Sequence, residues 1–233
     1  MNRYQPQMLL PEIGEAGQEK LTKSKILVVG AGGLGTVVAT YLAAMGIGRI
    51  GIVDFDAVAE TNLHRQFQYT PNNIGEKKAT LLAQKISTQN TSILINALSE
   101  QLTKENATRL MANYDIVCDC TDNIFARVLI DKQCNAHQLP LVHGAVSDWQ
   151  GYVTLFHYKN KFHYSHLIEV EDLLRAQTCV DNGISSPICG MIGSIMANEA
   201  LKIVLNTDTT LDGKLLYING LTNVFKTLTL KKS

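Results

Sequence analysis

Near its start the chain reads Lys25-Ile-Leu-Val-Val-Gly-Ala-Gly-Gly-Leu-Gly35, and the apolar run Ile50-Gly-Ile-Val-Asp54 follows. The first stretch predicts a strand, a glycine turn and a helix, an order that lets the backbone approach a phosphate at a helix N-terminus. The glycines of the turn are Gly30, Gly32, Gly33 and Gly35. Asp54 ends the second strand, where a carboxylate can bind ribose hydroxyls. We therefore expect a nucleotide site; the alternative is a turn that only packs helix on strand.

Apolar runs and helical patterns alternate along the rest of the chain. Strands are predicted at 25–29, 50–54, 92–98, 115–120, 139–145, 151–158, 214–219 and 223–230. Helices are predicted at 11–24, 34–45, 75–88, 104–113, 124–137 and 187–205. This order predicts an α/β fold with a Rossmann-like mixed sheet, parallel in its N-terminal part, antiparallel in its C-terminal strands and covered by helices on both faces.

We expect a single domain over residues 1–233. It would begin with an N-terminal arm and helix at 1–24, and residues 159–186 would form a crossover loop because they show weak periodicity and many charges. The chain has 21 basic and 21 acidic side chains, so no charge excess favours a nucleic-acid or membrane partner. No apolar run reaches the roughly 18 residues of a membrane span, and the polar start does not resemble a signal peptide.

Five cysteines are present, an odd count without C-x-x-C spacing. We therefore expect reduced thiols and a cytoplasmic protein.

Polar residues after the second strand favour ATP chemistry over hydride transfer. They are Asn62, Arg65, Gln66 and, at the start of the next helix, Lys78. Cationic groups aimed at phosphate charge contribute strongly to phosphoryl and nucleotidyl transfer, whereas a dinucleotide oxidoreductase has no evident use for them. The alternative for each is a solvated surface side chain.

Asp122 follows the fourth predicted strand, at the edge of the sheet where functional groups usually lie. A carboxylate there can hold Mg²⁺ while ATP phosphates supply further ligands. The alternative is an N-cap for the helix that follows, since aspartate and asparagine are strong caps.

The chain resembles the family of ThiF, MoeB and HesA, the bacterial relatives of ubiquitin-activating enzymes, and is most similar to ThiF. The resemblance covers nearly the whole chain and rests on many motifs in one order. They are Arg3-Tyr4, Gln7 through Leu-Leu-Pro-Glu-Ile-Gly14, the glycine turn, Asp54-Phe-Asp56, Asn62-Leu-His-Arg-Gln66, Gly75 with Lys78, Asp119-Cys-Thr-Asp-Asn123, Cys179 before Asp181-Asn-Gly183, and the helix from Gly190 to Lys202.

The resemblance implies an ATP- and Mg²⁺-dependent adenylyltransferase. Such enzymes activate the C-terminal glycine carboxylate of a small ubiquitin-like sulfur carrier protein, and the acyl-adenylate then receives sulfur from a donor such as a cysteine desulfurase or a rhodanese-type protein. The nucleotide-binding roles would fall on Gly32, Asp54, Asp56, Asn62, Arg65, Gln66 and Lys78. Asp122 would serve the metal, and Cys179 would correspond to a cysteine that bonds the carrier. Relatives are homodimers, so we expect a dimer.

Two departures qualify the resemblance. Relatives have a second arginine in the N-terminal motif that reaches ATP in the partner subunit, whereas this chain has Pro6 there. Relatives also bind structural zinc through two C-x-x-C pairs, whereas this crossover has His163 and His166. Two histidines cannot complete a four-ligand site, although Cys179 or Cys189 could add a ligand. Zinc is therefore not expected, and polar loop histidines are the preferred interpretation.

The carrier is expected to be ThiS-like, for thiamine thiazole synthesis. A MoeB-like enzyme for a MoaD-like carrier, of the molybdopterin branch, and a non-catalytic homologue that binds nucleotide and carrier remain as alternatives. A dinucleotide oxidoreductase is the third class.

Overall fold

Strands and helices alternate through residues 3–167 and 183–231, the part of the chain described by the computed structural model. The strands are β1 (Lys25–Val29), β2 (Arg49–Val53), β3 (Leu94–Leu98), β4 (Ile116–Asp119), β5 (Leu141–Ser147), β6 (Gln150–Phe156), β7 (Lys214–Asn219) and β8 (Val224–Thr229). The α-helices are α1 (Gln5–Met8), α2 (Gly14–Lys23), α3 (Gly33–Ala44), α4 (Lys78–Gln89), α5 (Lys104–Met111), α6 (Ile124–His137) and α7 (Ser186–Leu205). Short 3-10 helices lie at Glu60–Asn62, Pro71–Asn73 and Tyr164–His166.

The eight strands form one mixed sheet in the order β3-β2-β1-β4-β5-β6-β7-β8. Strands β1 to β5 pair in parallel, and β5 to β8 pair antiparallel. The change of direction begins at β5 and β6, which are joined by a connection too short for a crossover helix. The predicted mixed sheet is therefore confirmed.

The order of the strands creates a topological switch point beside β1. After β1 the chain moves outward to β2 and β3, and it then returns to β4 on the other side of β1. The loops that leave the carboxyl ends of β1 and β4 therefore run to opposite sides. In open α/β sheets a ligand binds at such a switch point.

Helices cover both faces of the sheet because successive residues of the central strands point to opposite faces. On β1, Ile26 and Val28 belong to one buried apolar cluster, while Leu27 and Val29 belong to the other. The first cluster includes residues of α3, α4 and α7, and the second includes residues of α5 and α6.

Helix α7 lies in the core against α3. A Cβ built at Gly193 would lie 2.8 Å from the Cβ of Val37, so glycine permits the close approach of the two helices. By length and composition alone α7 could cross a membrane, although it contains no uninterrupted apolar run of that length. Half of its most apolar 18-residue stretch is buried inside the protein. Glu199 on α7 is also buried, and its carboxylate accepts hydrogen bonds from Lys202 and the backbone of Leu211. These contacts identify α7 as a core helix.

Many predicted boundaries differ from the structure by one to three residues, and three of them are notable for their size or their physical reason. The helix predicted from residue 75 begins at Lys78. Gly75 has a positive φ of 89°, which lies outside the helical region, so it cannot be the first residue of the helix. The third strand begins at Leu94 instead of residue 92, and β5 extends to Ser147 because it pairs along its whole length with β6.

Candidate functional site

The glycine turn between β1 and α3 lies against the loop that follows β4. Gly30 has a φ of 97°, and a Cβ there would lie 2.7 Å from the carbonyl oxygen of Cys120. A Cβ at Gly35 would overlap the carbonyl oxygen of Gly30. Both positions therefore require glycine. In this part of the chain no side chain caps the N-terminus of α3 at Gly32, which leaves the helix end open to an anionic ligand.

Asp54 connects the end of β2 to this turn. Its carboxylate oxygens accept hydrogen bonds from the backbone N–H of Ala31 at 2.6 Å and of Asp56 at 2.8 Å. Burial raises the pKa of Asp54 above its ordinary value, and the two backbone hydrogen bonds oppose that rise. The residue predicted to bind ribose therefore also orders the turn before any nucleotide arrives.

Tyr69 is a site residue that the sequence reasoning missed. Its buried hydroxyl lies 2.9 Å from the carbonyl oxygen of Ala31 and 3.2 Å from that of Lys78. It thus connects the glycine turn to the start of α4. Its position in a polar loop gave no signal, because only the fold brings that loop under the turn.

Lys78 is buried, so the surface alternative for this residue is wrong. It is 5% exposed, and its Nζ donates to Asp56 at 3.1 Å, whereas neighbouring Lys77 is exposed and donates to the carbonyl oxygen of Phe55. The ammonium group of Lys78 is also close enough to Asp54 for its positive charge to lower the pKa of that carboxyl. This effect is smaller than those of burial and of the two backbone hydrogen bonds. Lys78, Asp56 and Asp54 therefore lie together at the carboxyl edge of β2.

The polar loop at 62–66 divides into structural and exposed groups. The side-chain oxygen of Asn62 accepts the N–H of Ala59 and so caps the first 3-10 helix. Arg65 is partly exposed and donates to the carbonyl oxygen of Thr61. Gln66 is 3% exposed, and its Nε2 lies 3.5 Å from a Cβ built at Gly32. Among the described residues its buried Oε1 has no hydrogen-bond partner, so this amide could serve a ligand at the turn.

Arg65 also lies close to the start of α3. A Cβ built at Gly33 would lie 2.9 Å from Sγ of Cys189 and 3.6 Å from Cγ of Arg65. Burial raises the pKa of Cys189 to about 11, and the charge of Arg65 opposes the shift. Cys189 is therefore a neutral packing residue, as the sequence suggested, and so are the other buried cysteines. Those are Cys118, Cys120 and Cys134.

Asp122 is not the N-cap of α6. The capping oxygen belongs to Asn123, which accepts the N–H of Ala126 at 2.8 Å, while Asp122 lies exposed immediately before it. The loop of Asp122 touches the glycine turn, since a Cβ at Gly30 would meet both Cys120 and Thr121. Asp122 is the next residue in this loop; its exposed carboxylate is free of the capping role and has the oxygen chemistry that Mg²⁺ prefers.

The loop that carries Asp122 is anchored by a buried pair, Asp119 and His143, that the sequence reasoning missed. Asp119 and His143 are both fully buried, and Nδ1 of His143 lies 2.9 Å from a carboxylate oxygen of Asp119. The other carboxylate oxygen accepts the N–H and the hydroxyl of Thr121 at 3.0 and 2.7 Å. Nε2 of His143 lies 3.3 Å from the hydroxyl of Tyr152. The pair therefore holds the start of the loop that carries Asp122.

Cys179, to which the resemblance assigns a bond to the carrier, lies outside the described residues. Arg3, the first arginine of the N-terminal motif that also contains Pro6, donates to the carbonyl oxygen of Gln89 at 2.8 Å. Gln89 ends α4 and Lys78 begins it, so this contact is at the opposite end of the helix from the candidate site.

We expect Gly35→Ala to deform the turn, because its new Cβ would overlap backbone that cannot move aside cheaply. The free energy of unfolding should fall by about 1–3 kcal/mol, and nucleotide affinity should fall at least about tenfold as the turn shifts. Gly190→Ala on α7 is the matched control. Its Cβ would meet open space, so it should be neutral or stabilise the helix by up to about 1 kcal/mol. Urea denaturation and equilibrium ATP binding measure both; equal behaviour of the two variants would contradict the close approach at Gly35.

Comparisons with known proteins agree with this geometry. The model of the ThiF family matches residues 4–233. The chain is 36% identical over 239 residues to the "Sulfur carrier protein adenylyltransferase" of Thermus thermophilus, covering all of this chain and 88% of that protein. It is 39% identical over 232 residues to the "Adenylyltransferase and sulfurtransferase MOCS3" of Caenorhabditis briggsae, covering 99% of this chain and 58% of that protein. The chain thus spans about half the length of the MOCS3 relatives that it matches.

Solved structures of E. coli MccB have the same fold. The complex with AMPCPP and the peptide MccA, and the complex with ATP, each superpose with a TM-score of 0.86 at 20% and 19% identity. Both alignments cover all of this chain and 72% of the MccB chain. The family match and the two groups of relatives span the glycine turn, the Asp54 edge and the Asp122 loop, and on these grounds the chain belongs to the ThiF family.

Proposed function

We propose that this chain is an ATP-dependent adenylyltransferase that activates the C-terminal carboxylate of a small sulfur carrier protein. One observation carries the proposal: the glycine turn, ordered by Asp54, faces the buried amide of Gln66 and lies at the same sheet edge as the buried cation Lys78. The open N-terminus of α3 suits a bound phosphate, and the ammonium group of Lys78 adds a positive charge at the same edge. The similarity to proteins named as adenylyltransferases supports the same conclusion.

In the proposed reaction a carboxylate oxygen of the carrier attacks the α-phosphorus of ATP. A new oxygen–phosphorus bond forms, the bond to the β-phosphate bridging oxygen breaks, and pyrophosphate leaves with the electron pair of that bond. The carboxylate is already ionised, so the step needs no general base. Asp54 would hold the ribose, and the turn around Gly32 would hold the phosphates. Arg65 and Lys78 would stabilise the negative charge that grows on the leaving pyrophosphate.

Asp122 has the position and donor type for Mg²⁺. It is exposed in the loop whose residues Cys120 and Thr121 lie against Gly30, and the adjacent Asn123 takes the capping role that would otherwise occupy it. When bound, Mg²⁺ would neutralise phosphate charge, with one or two protein bonds and the remainder from phosphates and water. Asp122 would orient the ion next to the nucleotide.

Exchange of labelled pyrophosphate into ATP tests the proposal. We expect exchange that depends on Mg²⁺ and on a carrier ending in Gly-Gly, because the acyl-adenylate step is reversible. Binding of ATP without exchange in the presence of ThiS-like and MoaD-like carriers would favour the non-catalytic alternative. Binding of NADH without binding of ATP would favour the oxidoreductase and overturn the proposal.

The identity of the carrier divides the proposal into two branches. The resemblance to ThiF favours a ThiS-like carrier and thiamine thiazole synthesis. The MoeB-like alternative, with a MoaD-like carrier, is supported equally because the relatives named above are MOCS3 proteins and a sulfur carrier protein adenylyltransferase. The ratio of exchange rates with the two carriers decides between the branches.

We also propose a homodimer and a later sulfur-transfer step. Apolar side chains exposed beside α3 and α7 would suit an interface; they are Tyr41, Phe67 and Phe225. Sedimentation as a monomer at micromolar concentration would contradict the dimer. In the sulfur step the terminal sulfur of a persulfide on a cysteine desulfurase or rhodanese-type donor would attack the acyl-adenylate, and AMP would leave. The Cys179 thiolate would then attack the sulfur bonded to the acyl group and displace the thiolate of the donor, so that a disulfide joins Cys179 to the carrier. An external thiol would reduce this disulfide and release the thiocarboxylate. Cys179→Ser should then leave pyrophosphate exchange intact and abolish formation of the thiocarboxylate.

Replacing Lys78 by methionine tests the buried cation. The ammonium group is lost while the length of the side chain is kept, so exchange should fall about 100-fold because phosphate charge loses its partner. Asp56 is half exposed and can be solvated, so the fold should tolerate the change. Lys77→Met is the matched control. Lys77 is exposed, and its replacement should change the exchange rate by less than about twofold. Equal losses of exchange in the two variants would contradict a role of Lys78 in the reaction.

A further inference from the structure

A second cluster of potential ligands lies away from the glycine turn, on the face of the sheet covered by α6. Asp131 comes from α6, His157 follows β6 directly, and His163 precedes the 3-10 helix Tyr164–His166. One ligand atom from each lies within 4.8 Å of the other two. Asp131 is about two helical turns along α6 from the cap at Asn123, so the cluster is separate from the candidate nucleotide site.

The three side chains are held in place by the surrounding backbone. Nε2 of His157 lies 2.7 Å from Oδ1 of Asp131, and the same oxygen accepts the N–H of Tyr164 at 2.9 Å. The rings of His157 and His163 are 4.6 Å apart between centroids, edge to face. Nδ1 of His166 accepts the N–H of His163 at 2.9 Å, which fixes the backbone on which His163 stands.

The backbone of His157 adds a separate indication. Its φ is 55°, in the left-handed region that residues other than glycine rarely adopt. Such strain persists only where the surrounding structure compensates for it, and it concentrates at binding sites. Here it comes with an imidazole directed at the carboxylate of Asp131 on α6. The turn is closed by the hydrogen bond from the N–H of His157 to the carbonyl oxygen of Phe162.

The buried carboxylate of Asp131 lies beside imidazole side chains in this cluster. The side chains of Asp131 and His157 are 11% and 4% exposed. Within residues 3–167 and 183–231 no salt bridge joins Asp131 to a lysine or arginine; its salt-bridge contact is with His157, which is cationic only when protonated. A buried carboxylate is costly unless an opposite charge compensates it. A divalent cation between the carboxylate and two imidazoles would supply that charge.

We propose that Asp131, His157 and His163 bind one transition-metal ion of the zinc class, with water in the fourth position. Two imidazole nitrogens and one carboxylate oxygen suit Zn²⁺, whereas Mg²⁺ and Ca²⁺ prefer oxygen ligands. On binding, the metal replaces the hydrogen between His157 and Asp131, and that proton moves to Nδ1 of the imidazole or to solvent. The ion connects α6 to the start of the crossover.

This site differs from the two C-x-x-C pairs of relatives in donor atoms and in location. From the sequence, the crossover offers the two imidazoles of His163 and His166, and two ligands are too few for a closed zinc site. The fold adds Asp131 from α6 and His157 from the end of β6, which no spacing in the sequence associates with the crossover. His166 supports His163 through its backbone and is not one of the three ligands.

Metal binding by the full chain tests the proposal. Protein stripped with chelator and dialysed should bind one equivalent of Zn²⁺ by isothermal titration, and its thermal unfolding midpoint should rise when Zn²⁺ is added. Asp131→Asn and His163→Gln should each weaken Zn²⁺ binding at least about tenfold. His137→Gln, which removes another histidine from α6, should bind zinc as the wild type does.

The spectrum of the Co²⁺-substituted wild type provides a test that does not need the variants to fold. Four-coordinate bands without a thiolate charge-transfer band support a nitrogen and oxygen site. A thiolate band would place the metal on cysteine and overturn the proposal. Absence of stoichiometric Zn²⁺ binding by the wild type, or unchanged binding by folded Asp131→Asn and His163→Gln, would also overturn it. These outcomes are independent of pyrophosphate exchange.

Discussion

Replacing Asp122 by alanine should lower Mg²⁺-dependent pyrophosphate exchange by about 1000-fold, because the carboxylate that orients the ion beside the phosphates would be lost. Asp122 is exposed and makes no capping bond, so its removal should leave the free energy of unfolding within about 0.5 kcal/mol of the wild type. The measurement is the initial exchange rate at several Mg²⁺ concentrations, together with a urea unfolding curve.

Asn123→Ala is the control from the neighbouring position. It removes the hydrogen bond to Ala126 that caps α6, so it should cost about 1 kcal/mol of stability. Exchange should stay within about twofold of the wild type, since Asn123 has a structural role. If Asp122→Ala destabilised the protein and kept its exchange rate, the metal role would be wrong and Asp122 would be a structural residue.

Replacing Asp119 by alanine should produce the largest loss of stability, about 3–5 kcal/mol. The change removes the carboxylate that accepts from the buried His143 and from the N–H and hydroxyl of the partly buried Thr121, and it leaves these donors without that acceptor. Asp115→Ala, at the opposite end of the same strand region, is the control. Asp115 is exposed and, among the described residues, accepts a single hydrogen bond, from the N–H of Lys25, so its loss should cost about 1 kcal/mol. Urea unfolding at pH 7.5 measures both.

The same buried pair predicts how stability depends on pH. Burial lowers the pKa of His143 below its ordinary value of 6.5, although the hydrogen bond to Asp119 opposes the shift. Burial alone would raise the pKa of Asp119, but the hydrogen bond and charge of His143 hold it below its ordinary range. The structure therefore favours a neutral imidazole beside an ionised carboxylate.

The sign follows from proton uptake on unfolding. Below pH 6.5 the unfolded chain protonates His143 while the folded protein resists, so the unfolded state binds more protons and stability falls with pH. Asp119 adds a further loss once the pH falls below the ordinary carboxyl value, since its folded pKa is depressed. His143→Gln should flatten the decline of the urea midpoint between pH 7.5 and 5. An unchanged decline would assign the dependence to other groups.

Some features followed from local sequence because they depend on neighbouring residues. The glycine turn was predictable because a strand, the glycines and a helix follow one another directly in the sequence. The mixed sheet was predictable because the strands after residue 145 follow each other without room for a helix between them. The role of Asp122 was open between a metal ligand and a cap. Only the position of the side chain of Asn123 removed the capping alternative, because either residue is a good cap by type.

Features that join distant segments were missed. Tyr69 under the glycine turn, the pair of Asp119 with His143 and the cluster at Asp131 each connect residues separated by many positions. No spacing rule detects such contacts. Burial of Lys78 was equally hidden, since Lys77 and Lys78 are adjacent and identical in type, and only packing against the sheet distinguishes them.

The sequence by itself determined the alternation of strands and helices, the glycine turn, the acids at the strand ends and the family, because each is encoded within a short segment. The tertiary structure decided which of two lysines is buried, which residue caps α6 and which side chains share a buried charge. These depend on strand order, which brings the ends of β1 and β4 together and encloses polar groups that must then find partners.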